Sequence, residues 1–371
     1  MLKTLKELKL TIRFIRKWIF TNLPLIFTIY HDSLLINFVL LNTFKMKYIK
    51  QSVLLLASTI VLMSFSDHNK DKRAKKDHHE TQSSTKKYWP NGAQLVISVS
   101  MQFETGGQPE GAESPFSGTP LPKGQPDLPA ESWYRYGGNE GIYRMLDLWK
   151  KYDIKVTSHV VGTAAEKYPE VAKAIANGGH EIAAHGIAWD NQWNKNYADE
   201  LNFVKQGVDV VEKITGKKAV GYNANWLRRG PNTLKVLQEL GFLYHIDDLS
   251  HDEPFITKVK GKNFVVIPYT LRNNDIVNIE GKHWSPDQFL NQLKFEFDRL
   301  YEEGASKRRM MSISFHDRIG GTPAMMHAME EFIKYTKEKH GVVFMRKDDI
   351  AKMVMNDPDT PVDNSEEKFN K

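Results

Sequence analysis

Glu104, His185, His316, Asp317, Arg228 and the amides Gln102 and Asn223 are side chains that could together hydrolyse an amide. Glu104 or Asp317 would activate a water, a histidine would protonate the leaving nitrogen, and Arg228 or an asparagine would stabilise the oxyanion. They are scattered along most of the chain, so the chemistry requires a fold that gathers them.

The stretch GGHEIAAHG at 178–186 raises the question of metal binding. A zinc-protease helix needs histidines at i and i+4, so that both project from one face. His180 and His185 are five apart, about 140° around a helix, and two glycines ahead of them disfavour a helix start. Read as a strand, the odd separation puts the rings on opposite faces. They cannot share a metal in either element. His180 reads as a structural residue at a strand start and His185 as the functional residue at its end.

The elements that must position these groups follow from periodicity. Strand patterns occur at 94–100, 154–161, 180–184, 219–222, 243–246, 264–267, 310–315 and 342–345. Helical patterns occupy 139–151, 164–177, 198–215, 231–240, 286–303 and 323–339, four of them closed by a glycine C-cap. Such βα alternation implies an α/β fold with a parallel sheet, open or closed as a barrel, whose chemistry collects at the C-terminal strand ends. Those ends carry Gln102 and Glu104, His159, His185, the Asn223–Arg228 segment with Trp226, Asp247–Asp248, Tyr269 with Arg272, and His316–Asp317. One rim thus collects polar residues repeatedly.

The order of GHEIAAHG, GYNANWLRR and MSISFHDR resembles the polysaccharide deacetylase superfamily (NodB homology, carbohydrate esterase family four) over residues 89–352. The resemblance implies a deformed, incomplete (β/α) barrel of about seven strands. It also implies removal of acetyl groups from acetamido sugars, with a divalent metal such as zinc held by an aspartate and two histidines. His316 takes the place of the family's catalytic histidine, and Asn223–Arg228 that of a substrate-contacting motif. Ser100 and Gln102 stand where two aspartates are usual, and Trp189 stands where a second histidine is usual. Two of the three usual metal ligands are therefore absent, which leaves the cofactor open. The pieces QFETG at 102–106, HGIAW at 185–189 and IPYTLRNND at 267–275 resemble a branch of that superfamily, the cofactor-independent allantoinases, which open a cyclic amide.

The site expected from this reading has Glu104, His185, His316 and Asp317 as catalytic groups. Gln102, Trp189, Asn223, Trp226, Arg228, Asp248, Tyr269 and Arg272 would contact a carbohydrate or a small cyclic amide. Trp189 and Trp226 would be apolar walls and sugar platforms. His159 could point into the pocket, while His245, His251 and His283 read equally as loop or core residues.

Composition narrows the remaining classes. The absence of cysteine excludes disulfides, thiolate metal sites and cysteine nucleophiles. Sixteen of the 51 Lys/Arg but only six of the 45 Asp/Glu lie in residues 1–90, so the body of the chain has no basic excess for nucleic acid. Residues 46–66 have the basic start, apolar run and small residues of a secretory signal peptide, or of an uncleaved anchor. Residues 1–45 read as an extension upstream of the true start at Met46. Residues 67–88, including His78 and His79, read as a disordered linker, and 356–371 as a disordered tail. The catalytic domain is then 89–355. The Gly/Pro-rich insert Gly106–Glu131 is either a lid that restricts the pocket or a surface excursion. A secreted location favours a polymer or oligosaccharide substrate; a carbohydrate-binding protein without catalysis is a third reading.

Overall fold

The computed structural model describes residues 88–108, 121–122 and 124–369. The expected upstream extension, the leader, nearly all of the linker and half of the 106–131 insert lie outside the described residues. Among the described residues nine strands make one sheet: β1 (Leu95–Phe103), β2 (Thr157–Val160), β3 (Glu181–Ala184), β4 (Gly221–Tyr222), β5 (Tyr244–His245), β6 (Phe255–Val259), β7 (Lys262–Val266), β8 (Met310–His316) and β9 (Val342–Phe344). Their order is β6-β7-β5-β4-β3-β2-β1-β8, with β9 also on β1. All pairs except β6–β7 are parallel. The sheet curls into a half-barrel with flanking helices, the deformed β/α barrel that the family resemblance implied. Beyond β7, the chain approaches β8 through an Asn274–Ser314 bridge, which draws the two sides of the sheet together at the rim.

The nine α-helices among the described residues are α1 (Leu128–Tyr136), α2 (Ile142–Tyr152), α3 (Gly162–Lys167), α4 (Pro169–Asn177), α5 (Tyr197–Thr215), α6 (Thr233–Glu239), α7 (Pro286–Gly304), α8 (Pro323–Lys337) and α9 (Lys347–Met355). Strand alternation explains how the core and the site share β1. Its odd positions, Leu95, Ile97, Val99, Met101 and Phe103, join the apolar layer beneath the helices with Trp149, Phe297 and Phe332. Ser98, Ser100 and Gln102 take the other face. Burying the apolar face contributes about 25 cal/mol per Å² removed from water.

The inner face is polar and mostly hydrogen-bonded, as burial demands. Near its lower end, Lys347 Nζ donates to Ser98 Oγ at 3.1 Å, and Thr157 Oγ1 donates to Glu181 Oε2 at 2.6 Å. Burial brings the Lys347 ammonium down to about 7. At the upper end, register aligns Gln102 with His159 on one side and His316 on the other.

The structure departs from the sequence pattern in five places, one of them α9, which no helical pattern marked. The 164–177 helix is two, α3 and α4, because Pro169 disfavours helical geometry at Tyr168, whose ψ is 62°. Helix α1 is new; a π-helical segment, Gly137–Gly141, joins it to α2. Strand β6 was not expected either. It makes an antiparallel hairpin with β7 through Lys260 and Gly261, both with positive φ, which matches the strand twist. Finally, the tail expected to be disordered from 356 is placed on the domain as far as 369. Ile256 donates its N–H to Pro361 O at 2.8 Å and accepts from Asp363 N–H at 2.9 Å. Backbone pairing on an open edge strand needs no apolar side chain, so a polar composition hides it.

Candidate active site

The C-terminal rim encloses a cleft of about 70 Å³, open to solvent and lined by Gln102, Glu104, His185, Trp189, Asn223, Trp226, Tyr269 and His316, among others. Every one of these was expected at the rim. Glu104 follows β1, His185 follows β3, Asn223 follows β4, and His316 ends β8.

Hydrogen bonds fix the two imidazoles differently. His185 Nδ1 lies 2.6 Å from Asn223 O. A carbonyl only accepts, so Nδ1 carries the proton and Nε2 turns to the cleft, 3.4 Å from Glu104 Oε1. His316 is held by Asp275 instead. One oxygen of that buried carboxylate accepts from the His316 backbone N–H and the other from Nδ1, both at 2.6 Å. His316 Nε2 then lies 3.7 Å from Glu104 Oε1. Burial alone would lower the His316 pKa, but the Asp275 and Glu104 carboxylates outweigh it and raise the value above the usual one.

Glu104 is therefore the hub of the site. Its second oxygen accepts from Arg318 Nη1 at 2.8 Å. Burial pushes its carboxyl up, yet His316, Arg318 and His185 together hold it well below the usual carboxylate range. Arg318 is itself buried, 4.8, 5.2 and 5.4 Å from the ring centres of Trp133, Tyr134 and Trp189. Aromatic faces and two carboxylates, Glu104 and more distantly Asp317 at 3.5 Å, thus hold the guanidinium in place.

A second network orients the amides. Gln102 Nε2 donates to Tyr269 Oη at 3.0 Å and to Asn223 Oδ1 at 3.2 Å. Asn274 Nδ2 also donates to Tyr269 Oη, so the tyrosine proton goes to Ser314 Oγ. Asn223 Nδ2 donates to Asp247 Oδ1 at 2.7 Å. Burial raises the Asp247 carboxyl to about 6. Gln102 Oε1 is buried without a partner among the described residues, which makes it a ready acceptor at the cleft. Above it, Trp189 and Trp226 stack with ring centres 5.9 Å apart. Trp226 and Leu227 both take left-handed backbone, φ 53° and 60°, which sets the Trp226 ring at the mouth, 57% exposed.

Four expected residues are not in the cleft. Asp317 has the opposite strand parity to His316 and is consumed by the Glu104 and Thr105 backbone N–H groups, each at 2.8 Å. It holds the loop after β1 and does not face the reaction site. Arg228 is exposed at the far side of the Trp226 turn. Asp248 accepts from Ser250 N–H at 2.8 Å in a local turn. Arg272 pairs with Glu296 and Asp252 on the surface, at 3.1 and 3.2 Å. A polar residue near a strand end meets its neighbours only if its side chain points inward, and composition does not give that parity. His159 is buried but does not line the cleft. His180 accepts from Val156 N–H at 3.2 Å, which is its structural role.

Sequence reading missed Asp275 and Arg318. Both sat inside quoted motifs, the first closing IPYTLRNND and the second following His316-Asp317. The available signal was a carboxylate within reach of a histidine at the same rim, and a cation next to it to match Glu104.

A divalent metal does not fit this donor set. Glu104 is already neutralised by a guanidinium at 2.8 Å, and the raised pKa of His316 favours the imidazolium, which cannot ligate. Gln102 and Trp189 supply no anionic or imidazole donor. Among the described residues no three His, Asp or Glu side chains are arranged to hold an ion.

The barrel rim, a fixed carboxylate and two imidazoles that both turn Nε2 to it form a site of the α/β-barrel class suited to hydrolysis. The comparisons specify it. The family model described as polysaccharide deacetylase matches residues 133–245. A crystal structure described as a probable polysaccharide deacetylase from Pseudomonas aeruginosa PAO1 is 33% identical, with TM-score 0.67, covering 73% of this chain and 94% of that one. The crystal structure of Puue allantoinase is also 33% identical, with TM-score 0.68, covering 78% of this chain and 100% of that one. The peptidoglycan deacetylase of Helicobacter pylori (strain ATCC 700392 / 26695) is 26% identical over 250 residues, 58% of this chain and 84% of the relative. The chain belongs to the polysaccharide deacetylase family, hydrolases of carbon–nitrogen bonds other than peptide bonds.

Proposed function

We propose that the protein removes the acetyl group from an acetamido sugar of a polysaccharide or peptidoglycan. The observation that carries this is the geometry around Glu104, which has His185 Nε2 and His316 Nε2 at 3.4 and 3.7 Å from one carboxylate oxygen. A water held by Glu104 and His185 attacks the acetyl carbon, giving its proton to His185 Nε2, while Nδ1 stays bonded to Asn223 O. The permanent negative charge of Glu104 supports the imidazolium that forms. His316 Nε2–H faces the carbonyl oxygen and then protonates the sugar nitrogen as the carbon–nitrogen bond breaks. The products leave as acetic acid, which ionises to acetate in solvent, and the amine; His185 has gained the proton that His316 has lost, and proton exchange with solvent returns both imidazoles to their starting forms. Gln102 Oε1 takes the amide N–H, and the Trp189–Trp226 pair covers the sugar.

A second reading is an allantoinase-like opening of a cyclic amide. It is supported by the full-length similarity to Puue allantoinase, and the same two imidazoles would serve. The signal-peptide pattern at 46–66 favours a secreted or periplasmic location, where a polymer is the available substrate. No helix among the described residues is long and apolar enough to cross a membrane. Incubating purified protein with N-acetylated chito-oligosaccharides, peptidoglycan and allantoin, and assaying acetate and ring opening, tests the choice. Acetate from a sugar substrate is expected; ring opening of allantoin without acetate release would replace the first reading with the second.

A further inference from the structure

The segment after β4 carries two arginines, of which only Arg228 was expected at the site. Its neighbour Arg229 turns inward instead. Arg229 Nε donates to Asp247 O at 3.3 Å, and Nη2 donates to the two carboxylate oxygens of Glu366 at 3.1 and 2.9 Å. Glu366 belongs to the tail that runs beside β6, and with Asp363 and Ser365 it closes over His245 and Asp248 at the end of β5. Asp247 relays this contact to the active cleft. Its carboxylate accepts from Asn223 Nδ2 at 2.7 Å and from Ala224 N–H at 2.9 and 3.0 Å. That N–H and the Asn223 carbonyl belong to one planar peptide unit and point opposite ways. The N–H faces Asp247 and the carbonyl faces His185 Nδ1, 2.6 Å away. Turning this peptide would release the imidazole.

We propose that Arg229, clamped by Glu366 of the tail, is a positioning residue for the reaction: it keeps the Asp247 carboxylate accepting from Ala224 N–H, so that the Asn223 carbonyl holds His185 Nδ1–H and leaves Nε2 to take a proton from water. This rests on His185 as the base, which both readings of the substrate share. The charges around Asp247 support it. Tyr222, His245, His185 and Arg229 are the titratable groups that face the carboxylate. Burial keeps Tyr222 and His245 uncharged, and His185 changes charge during the reaction, so Arg229 is the permanent cation. Burial pushes the Asp247 carboxyl up to about 6, with Arg229 the strongest influence in the other direction. Glu366 keeps the guanidinium from relaxing into solvent, away from that carboxylate.

The test is the pH dependence of kcat, on chito-oligosaccharide or allantoin according to which the wild type turns over, together with the His185 tautomer read by nitrogen NMR of the ring. Arg229→Met keeps the length of the side chain and removes its charge. Activity requires ionised Asp247 and falls as pH falls through the Asp247 value, which rises when Arg229 is lost. The acid limb should therefore move up by about one pH unit in R229M, with kcat about fivefold lower near pH ~6 and nearly recovered above pH ~8. Near pH ~7 the Nδ1–H tautomer of His185 in the wild type should give way to a mixture in R229M. Glu366→Ala, an exposed change that spares the fold, should move the limb the same way by less, and Glu366→Asp should leave it in place. In an Asp247→Asn background, Arg229→Met should move nothing further, because Arg229 acts through that carboxylate. A loss equal at every pH, an unmoved limb in R229M or E366A, or an unchanged His185 tautomer overturns the proposal. The tautomer needs no substrate, so a wild type silent in both assays would sink the proposed function while the NMR still decides the role of Arg229.

Discussion

His316 Nδ1 lies 2.6 Å from Asp275 Oδ1, and the other oxygen of the same carboxylate takes the His316 backbone N–H at 2.6 Å. One buried carboxylate therefore sets the position, tautomer and charge of the proposed acid. Asp275→Asn keeps the size of the side chain but removes the charge. Because Asp275 raises the His316 pKa, its loss lets burial and Arg318 pull it down. Imidazolium is the working form, so activity falls as pH rises through the His316 value. In D275N that alkaline limb should move to lower pH, with kcat down about 10- to 100-fold at neutral pH. The same raised pKa contributes stability that is present below the unfolded value and lost as pH rises through the folded one. The pH–rate profiles of both proteins check it; superimposable limbs would contradict it.

Glu104 has a structural as well as a chemical consequence. Glu104→Gln should lower kcat/KM by about 100-fold or more. It also leaves Arg318 buried without its main counter-charge, at a cost of about 3 kcal/mol, with Asp317 only partly compensating at 3.5 Å. Adding Arg318→Met should restore part of the lost stability and none of the activity. Thermal melts and rates of the two variants separate the effects.

Trp226→Ala removes an indole that lines the mouth of the cleft and contacts no proposed reacting group. KM should rise about tenfold with kcat changed less than about threefold, the signature of lost uniform binding. A fall confined to kcat would instead give Trp226 a part in the chemistry.

The residues that strand-end position suggested and the structure places elsewhere give negative predictions. Arg228→Ala and Asp248→Ala should leave kcat/KM within about twofold, since the exposed Arg228 and the half-buried Asp248 both lie outside the cleft. Arg272→Ala removes surface ion pairs, typically worth about 0–1 kcal/mol, and should likewise leave the rate intact.

These cases show what could be read from the chain alone. The βα alternation, the rim, and the placing of Glu104, His185 and His316 there follow from periodicity and from motif order. Side-chain parity near a strand end does not, which is why Asp317 was grouped with His316 although adjacent positions face opposite ways. Asp275 was hidden because its link to His316 crosses from the segment after β7 to the end of β8. Arg318 was hidden because its partner Glu104 is more than half the chain away. The hairpin β6–β7 and the tail beside it rest on backbone pairing, to which hydrophobic patterns are blind.

Chelation is a further check on the donor set. With Arg318 beside Glu104 and Trp189 in place of an imidazole, dialysis against a chelator should leave kcat within about twofold. Loss of activity that zinc restores would mean that Glu104, His185 and other groups bind an ion in solution.

The central claim is that His316 delivers a proton to the nitrogen of an acetamido sugar while Glu104 and His185 hold the attacking water. Quantifying acetate and free amine released from N-acetylated chito-oligosaccharides, by wild type and by His316→Ala of equal thermal stability, tests it most directly. Expected are equal amounts of acetate and amine from the wild type and a rate about 100-fold lower or less in the variant. No acetate from the wild type, or an undiminished rate in H316A, would contradict it.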